Sequence, residues 1–168
     1  MWYVMQVRTG YEEKMMLECQ TEIPETILQK CFIPRYEEKK RIQGKWQIQR
    51  KILFPGYVFV VTEEPHRLQL YLKNIAGLTR LLGTDDEIVP LMDSEVEFLK
   101  AFGGQEQVVH MSEGIIENSK VIIKSGPLAG WEAYIKKIDR HKRKAYLELE
   151  MFGKLRNVEV GLEIFTKS

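Results

Sequence analysis

The feature that most constrains the fold is a change of pattern at Gly103–Gly104. Before it, strand-like and helix-like segments alternate, and from about Ser112 onward only short strand patterns follow, separated by glycine and proline. A chain of 168 residues has room for two small domains. We therefore predict an α+β domain over residues 1–103, a flexible linker over 104–112 and a small all-β barrel over 113–168.

The first part of the chain predicts an antiparallel sheet with helices and a β-hairpin. Tyr57–Val61 is apolar throughout, which is typical of a strand buried on both faces. Cys31–Tyr36 is predicted as one strand that continues to Ile42, turns at Gln43–Gly44 and returns as the second arm of the hairpin. The remaining expected elements are a strand over 2–7, helices beginning near residues 11 and 63, a strand over 78–82 and a helix capped by Asp93 or Ser94.

The second part predicts only strands. Alternating or apolar runs lie at residues 121–123, 133–135, 145–151 and 157–160, and five short strands fit into this length. Gly126, Gly130 and Gly153 mark the turns between them.

The charge is balanced over the whole chain but concentrated locally. Twenty-five Lys and Arg face 24 Asp and Glu, which excludes a uniformly basic nucleic-acid-binding surface. Residues 136–144 nevertheless contain six Lys or Arg, and this window is either a solvated loop or an RNA contact. The candidate RNA-binding residues are Lys136, Lys137, Arg140, His141, Lys142, Arg143 and Lys144, extended by Lys154 and Arg156 beside the Gly153 turn.

Three further features have two readings each. Trp131 and Tyr134 are candidate base-stacking platforms or packed core residues. The cations around the hairpin are either a weak nucleic-acid contact or a solubilising tip: Lys39, Lys40, Arg41, Lys45, Arg50 and Lys51. Asp85–Glu87 is an acidic turn or, less simply, a Mg²⁺ site.

No pattern indicates catalysis, a cofactor or a metal. Phosphate-binding loops, nucleophile elbows and zinc-binding helices are absent from the sequence, and the three histidines lie apart. Cys19 and Cys31 lie in apolar stretches and are predicted to be buried thiols. Because no signal peptide and no long apolar run is found, we expect a cytoplasmic protein. Because the catalytic motifs are missing from the sequence, we expect that it is not an enzyme.

Specific motifs resemble a known family. The N-terminal Trp2–Val4, the segment 50–60 (RKILFPGYVFV) and the segment 77–83 (GLTRLLG) resemble the N-terminal domain of the NusG transcription elongation factors. The segment 121–130 (VIIKSGPLAG), followed by Ile138–Asp139 and Phe152–Gly153, resembles their C-terminal KOW barrel.

The resemblance implies a monomer whose N-terminal (NGN) domain binds the clamp helices of the largest RNA polymerase subunit and suppresses pausing. The KOW barrel would recruit Rho, a ribosomal protein or RNA. Carried over to this chain, the polymerase-binding residues are Tyr3, Phe54, Pro55, Tyr57, Phe59 and Leu81. Exposed aromatic rings beside the Pro55–Gly56 kink would suit a hydrophobic interface, and the alternative for each residue is plain core packing.

Departures from the family pattern indicate a specialised member. Leu128 and Ala133 stand where Phe and Gly are usual, and Lys136 and Lys137 stand where acidic residues are frequent. The set is most similar to the LoaP antiterminators of Firmicutes, which implies a KOW domain that binds a hairpin in leader RNA. Two alternatives remain: a housekeeping factor whose KOW domain recruits Rho or a ribosomal protein, and a paralogue that reads non-template DNA through the hairpin cations and His66.

Overall fold

The computed structural model describes residues 1–75, 80–83 and 87–165. In the first half of the chain the elements are β1 (Trp2–Gln6), α1 (Glu12–Glu22), β2 (Lys30–Phe32), β3 (Arg35–Ile42), β4 (Lys45–Ile52), β5 (Tyr57–Val61), α2 (Pro65–Leu72) and β6 (Arg80–Leu81). They are followed by α3 (Asp93–Gly103), β7 (Val108–Val109), β8 (Ser112–Glu117), β9 (Lys120–Ser125), a 3-10 turn (Glu132–Tyr134), β10 (Ile135–Asp139), β11 (Lys144–Met151) and β12 (Lys154–Phe165). The predicted mixed α+β fold class is confirmed.

The chain forms two compact units, and neither is a simple half of the sequence. Unit 1 contains residues 1–34 and 54–97, and unit 2 contains residues 35–53 and 98–168. The β3–β4 hairpin therefore belongs to the same unit as the C-terminal strands, whereas the motif-based division places it in the N-terminal domain. The boundaries 1–103 and 113–168 remain a prediction about independent domains.

Unit 1 is built around β5. Its sheet has the order β2-β5-β1-β6, with β5 antiparallel to both neighbours, and Val58, Phe59 and Val60 are buried. The apolar run thus forms the central strand that the sequence predicts. Helix α2 begins at Pro65, where the missing N–H of proline costs no hydrogen bond. Of the predicted strand over 78–82, residues 78 and 79 lie outside the described ranges.

The expectation of one continuous strand from Cys31 to Ile42 is wrong. The chain leaves one sheet after Phe32 and enters another at Arg35, so β2 pairs with β5 while β3 pairs with β4 and β7. Pro34 lies at the break and has no N–H to offer to a neighbouring strand. Only two residues, Ile33 and Pro34, lie between the end of β2 and the start of β3.

Unit 2 contains the hairpin sheet, in the order β4-β3-β7, and a five-stranded sheet, in the order β10-β11-β12-β8-β9. The five C-terminal strands confirm the predicted all-β unit, although Ala133 and Tyr134 form a 3-10 turn instead of a strand. Segment 104–112, expected to be a flexible linker, contains β7, whose valines are buried beside β3. This segment is therefore partly built into a sheet.

Two smaller expectations can be compared with the structure. Cys19 and Cys31 are buried free thiols, as predicted, and burial raises their pKa values to about 11 and about 12. Among the described residues, no helix is long and apolar enough to cross a membrane.

Candidate nucleic-acid interface

The basic turn, residues Arg140–Arg143, joins β10 to β11 in unit 2. The Asp139 carboxylate accepts a hydrogen bond of 2.9 Å from the backbone N–H of Lys142, which fixes the turn and holds the pKa of Asp139 below its usual range. Arg140, His141 and Lys142 are exposed. These three candidate RNA-binding side chains therefore lie on the surface.

Arg143 is directed differently, toward the β3–β4 hairpin. Its backbone has a φ of 57°, the left-handed conformation that few residues other than glycine adopt. The guanidinium carbon lies 3.7 Å from the centre of the Trp46 ring, and Nη1 lies 3.4 Å from Glu163 Oε1. Arg143 was predicted to contact RNA, but here it is held by an aromatic ring and a carboxylate.

Lys144, the first residue of β11, is held even more closely. Its Nζ lies 2.7 Å from Glu38 Oε2 and 3.4 Å from Glu159 Oε2. Burial raises the pKa of Glu38, but Lys144 and Lys51 outweigh that effect, so its pKa lies below the usual range. Burial lowers the pKa of Lys144, but Glu38 and Glu159 outweigh it, so its pKa is raised. In this structure Lys144 therefore serves as an internal ion-pair partner.

Lys136 and Lys137 lie on β10, are exposed and border an open groove of about 220 Å³. The Nζ of Lys137 lies 5.7 Å from the centre of the Tyr146 ring. The other groove-lining side chains are mostly apolar: Ile116, Ser119, Val121, Glu132, Ile135 and Ile138. Two exposed cations thus stand beside a groove of mixed polar and apolar surface, on the strand that leads into the basic turn.

Lys154 and Arg156 do not extend this surface. Lys144 pairs with Gly161 at one end of the β11–β12 ladder, while Lys154 pairs with Met151 at the other end. Seven residues of strand separate the two ends by about 23 Å. Arg156 also donates to the Met151 carbonyl and lies 4.6 Å from the Phe152 ring centre. The expectation of one continuous basic surface is therefore wrong at these two positions.

The two aromatic candidates of the C-terminal part differ in exposure. Trp131 packs edge-on against Phe98, with ring centres 4.9 Å apart, and contacts Tyr134 at 5.1 Å. Tyr134 is more exposed. Trp131 therefore serves packing.

The cations around the β3–β4 hairpin also differ in whether they form ion pairs within unit 2. Lys39 forms an ion pair with Glu163, and Lys51 lies 3.4 Å from Glu38. The other members are exposed: Lys40, Arg41, Lys45 and Arg50. The hairpin tip is therefore exposed and basic, while its base is tied to the rest of unit 2.

Most candidate polymerase-binding residues lie in the core of unit 1. Tyr3, Phe54, Phe59 and Leu81 are buried, and only Pro55 is exposed. The Phe59 ring is 5.5 Å from that of Phe32 and 5.9 Å from that of Phe54. Burial of Tyr3, Phe54 and Phe59 agrees with the alternative of core packing and not with exposed rings at an interface. Tyr57 is half-buried.

One residue beside that segment was not found by sequence reasoning. The buried Glu12 accepts hydrogen bonds from the backbone N–H groups of Gly10, at 2.6 Å, and Gly56, at 2.9 Å. Gly56 has a φ of +88°, which favours glycine. Glu12 therefore holds the Pro55–Gly56 turn, and its only sequence signal is an acidic residue in the first turn of a helix.

Comparison with known proteins decides the family. The family model described as "Transcription termination factor nusG" matches residues 1–100. The chain belongs to the NusG family. Its motif resemblance is thereby confirmed, and with it the assignment to transcription termination or antitermination.

Individual NusG proteins are similar in sequence to nearly the whole length of this chain. The chain is 29% identical to the transcription termination/antitermination protein NusG of Bacillus subtilis over 167 residues, covering 95% of this chain and 93% of that protein. The same identity extends over 174 residues of the Staphylococcus carnosus protein, covering 99% and 94%. A solved structure described as "Domain interaction in Thermotoga maritima NusG" has the same fold, with a TM-score of 0.60, 21% identity and coverage of 95% and 92%.

Proposed function

We propose that this NusG-family chain is a processive antitermination factor of the LoaP type. Its NGN region binds the RNA polymerase clamp helices, and its KOW strands bind a structured element in leader RNA. The exposed cations of the basic turn carry the second part of the proposal. They project from a turn that Asp139 fixes, and their positive charge suits a phosphate backbone.

Exposure supports five cations as the residues of that contact. Arg140, His141 and Lys142 lie on the exposed turn, and Lys136 and Lys137 lie on the strand before it. An RNA stem could meet both groups through its phosphates, because double-stranded RNA is recognised mainly by shape and backbone. Arg143 and Lys144 already pair with Glu163 and Glu38, so we expect them to contribute less to RNA binding.

Salt dependence of RNA binding tests the proposal. The double variant Arg140→Ala/Lys142→Ala should flatten the log–log salt slope for a leader-derived stem–loop by about 1.5 units, because two phosphate contacts are lost. The matched control, Lys124→Ala/Lys154→Ala, removes the same charge from exposed positions on β9 and at the far end of the β11–β12 ladder. Equal slopes for both variants would place the RNA contact elsewhere.

The apolar side chains of the groove favour a second candidate, a housekeeping factor whose KOW domain recruits Rho or a ribosomal protein. Ile116, Val121, Ile135 and Ile138 offer a protein partner apolar contacts. Under this candidate, Ile135→Asp abolishes capture of that partner by the full chain, while stem–loop RNA shows no salt-dependent binding. Capture of the protein partner that is unaffected by Arg140→Ala/Lys142→Ala would also favour this second candidate.

A further inference from the structure

Trp46 is a large aromatic side chain on an exposed strand. It is 42% exposed and lies near the start of β4, directly opposite Arg41 on β3. Ile48 lies two residues further on and therefore faces the same side of the hairpin. Neither the polymerase-binding motif nor the basic window contains Trp46, so the functional assignments leave it unexplained.

The indole ring is held beside the basic turn. The Arg143 guanidinium covers it at 3.7 Å, and the same guanidinium is held by Glu163. Arg143 is also the last residue of the turn that carries Arg140 and Lys142. The ring is therefore fixed in position next to exposed cations before any ligand arrives.

This combination suits an unpaired nucleotide. Bases of single-stranded loops stack on exposed aromatic rings, while nearby cations neutralise the adjoining phosphates. A protein partner would bury such a ring within an apolar patch depleted of charge. Here Ile48 shares the face, but the residue directly opposite Trp46 is the exposed Arg41, and the turn that ends at Arg143 carries the exposed Arg140 and Lys142. The charge pattern favours RNA.

We propose that Trp46, backed by Arg143, is a stacking platform for an unpaired base in the loop of the RNA element. The inference rests on the proposed function and adds a loop contact to the phosphate contacts of the basic turn. It assigns the hairpin a direct part in distinguishing a stem–loop from a continuous duplex.

The test compares two RNA probes bound to the full chain. One is a ten-base-pair stem with a six-nucleotide loop that carries 2-aminopurine, and the other is a blunt duplex of the same stem. Trp46→Ala should weaken stem–loop binding about tenfold or more and abolish quenching of the loop fluorophore. Its salt slope and its duplex affinity should not change, and Trp46→Phe should retain most of the affinity.

Tyr11→Ala is the matched control. Tyr11 is 39% exposed and lies beside two cations, Arg8 at 5.0 Å and Lys14 at 5.8 Å, but belongs to unit 1. It should bind both probes as the unmodified chain does.

The outcomes separate the two proposals. Unchanged stem–loop affinity in Trp46→Ala, while Arg140→Ala/Lys142→Ala flattens the salt slope, overturns the stacking platform and leaves the RNA-binding function standing. If the unmodified chain does not prefer the stem–loop to the duplex, the platform is also overturned. Loss of protein capture with unchanged RNA binding in Trp46→Ala would assign the ring to a protein partner.

Discussion

At the scale of single residues, two buried carboxylates organise the two units by different means. Glu12 satisfies backbone N–H groups around the Pro55–Gly56 turn, whereas Glu38 neutralises lysine side chains. Glu38 is only 3% exposed, so its charge depends on those partners. Both residues act structurally, and each lies beside a segment proposed to bind a macromolecule.

Replacing the Glu38 carboxylate tests this dependence. Glu38→Gln should lower the free energy of unfolding at pH 7 by about 3 kcal/mol, because Lys144 and Lys51 lose their buried counter-charge. Chemical denaturation of the full chain measures this effect. Glu150→Gln, at an exposed position on β11, is the control and should change stability little. An equal effect of both substitutions would contradict the importance of the ion pairs.

The same pair predicts a direction of pH dependence. The pKa of Glu38 is lower in the folded chain than its ordinary value of 4.5, so its contribution is fully present above pH 4.5 and is lost as the pH falls through the folded pKa. The pKa of Lys144 is raised above 10.5, so its contribution is lost only as the pH rises beyond that value. The stability difference between the unmodified chain and Glu38→Gln should therefore shrink on acidification below pH 4.5. A stability difference that grows on acidification would contradict a stabilising, ionised Glu38.

At the scale of elements, β12 approaches the hairpin through a glycine. A side-chain carbon at Gly161 would collide with the Glu37 backbone carbonyl and with Met111. Glu37 in turn accepts a hydrogen bond of 3.0 Å from the backbone N–H of Met111. The close approach is thus part of the packing between β3, β12 and the residues before β8.

Gly161→Ala should destabilise unit 2 because the β12 and β3 backbones would have to move apart. We expect a loss of about 2 kcal/mol in unfolding free energy, within the range for overpacked cores. Gly103→Ala is the matched control, since its nearest neighbours would lie 3.4 Å away in ordinary contact. Similar thermal unfolding of Gly161→Ala and the unmodified chain would show that the contact relaxes freely.

The elements also show how far sequence reasoning reaches. Local patterns predicted β5, the start of α2 to within two residues and the hairpin turn, because each depends on neighbouring residues alone. The break at Pro34 was available as a signal, but the β-rich residues around it favoured one strand. Nothing local in the sequence placed Trp46 beside Arg143.

At the scale of the molecule, the pairing of the hairpin with the C-terminal strands was beyond sequence reasoning. It depends on polar contacts between distant residues, such as the 2.9 Å hydrogen bond from the Tyr36 hydroxyl to Glu159, 123 positions away. Patterns of hydrophobicity do not encode such pairs. The basic window was found correctly as a charge cluster, but its division into exposed and internally paired members required three-dimensional structure.

The grouping of the hairpin with the C-terminal strands in unit 2 predicts how protection against hydrogen exchange is distributed. Backbone amides of β3 should exchange hydrogen with the same opening free energy as those of β11, because both belong to unit 2. Lys144→Met, which leaves Glu38 without its closest cation, should reduce protection in both strands and leave β1 and β5 unchanged. Hydrogen exchange followed by mass spectrometry measures this. A uniform loss across both units would contradict the grouping.

The interleaved composition of the two units has a consequence for synthesis on the ribosome. The hairpin is translated more than a hundred residues before Glu159 and Glu163, the partners of Tyr36 and Lys39. At about 5–20 residues per second, its partners follow roughly 6–25 s later. During that interval the nascent hairpin carries unmatched charges and an uncovered tyrosine, and β12 then completes a structure begun more than a hundred residues earlier.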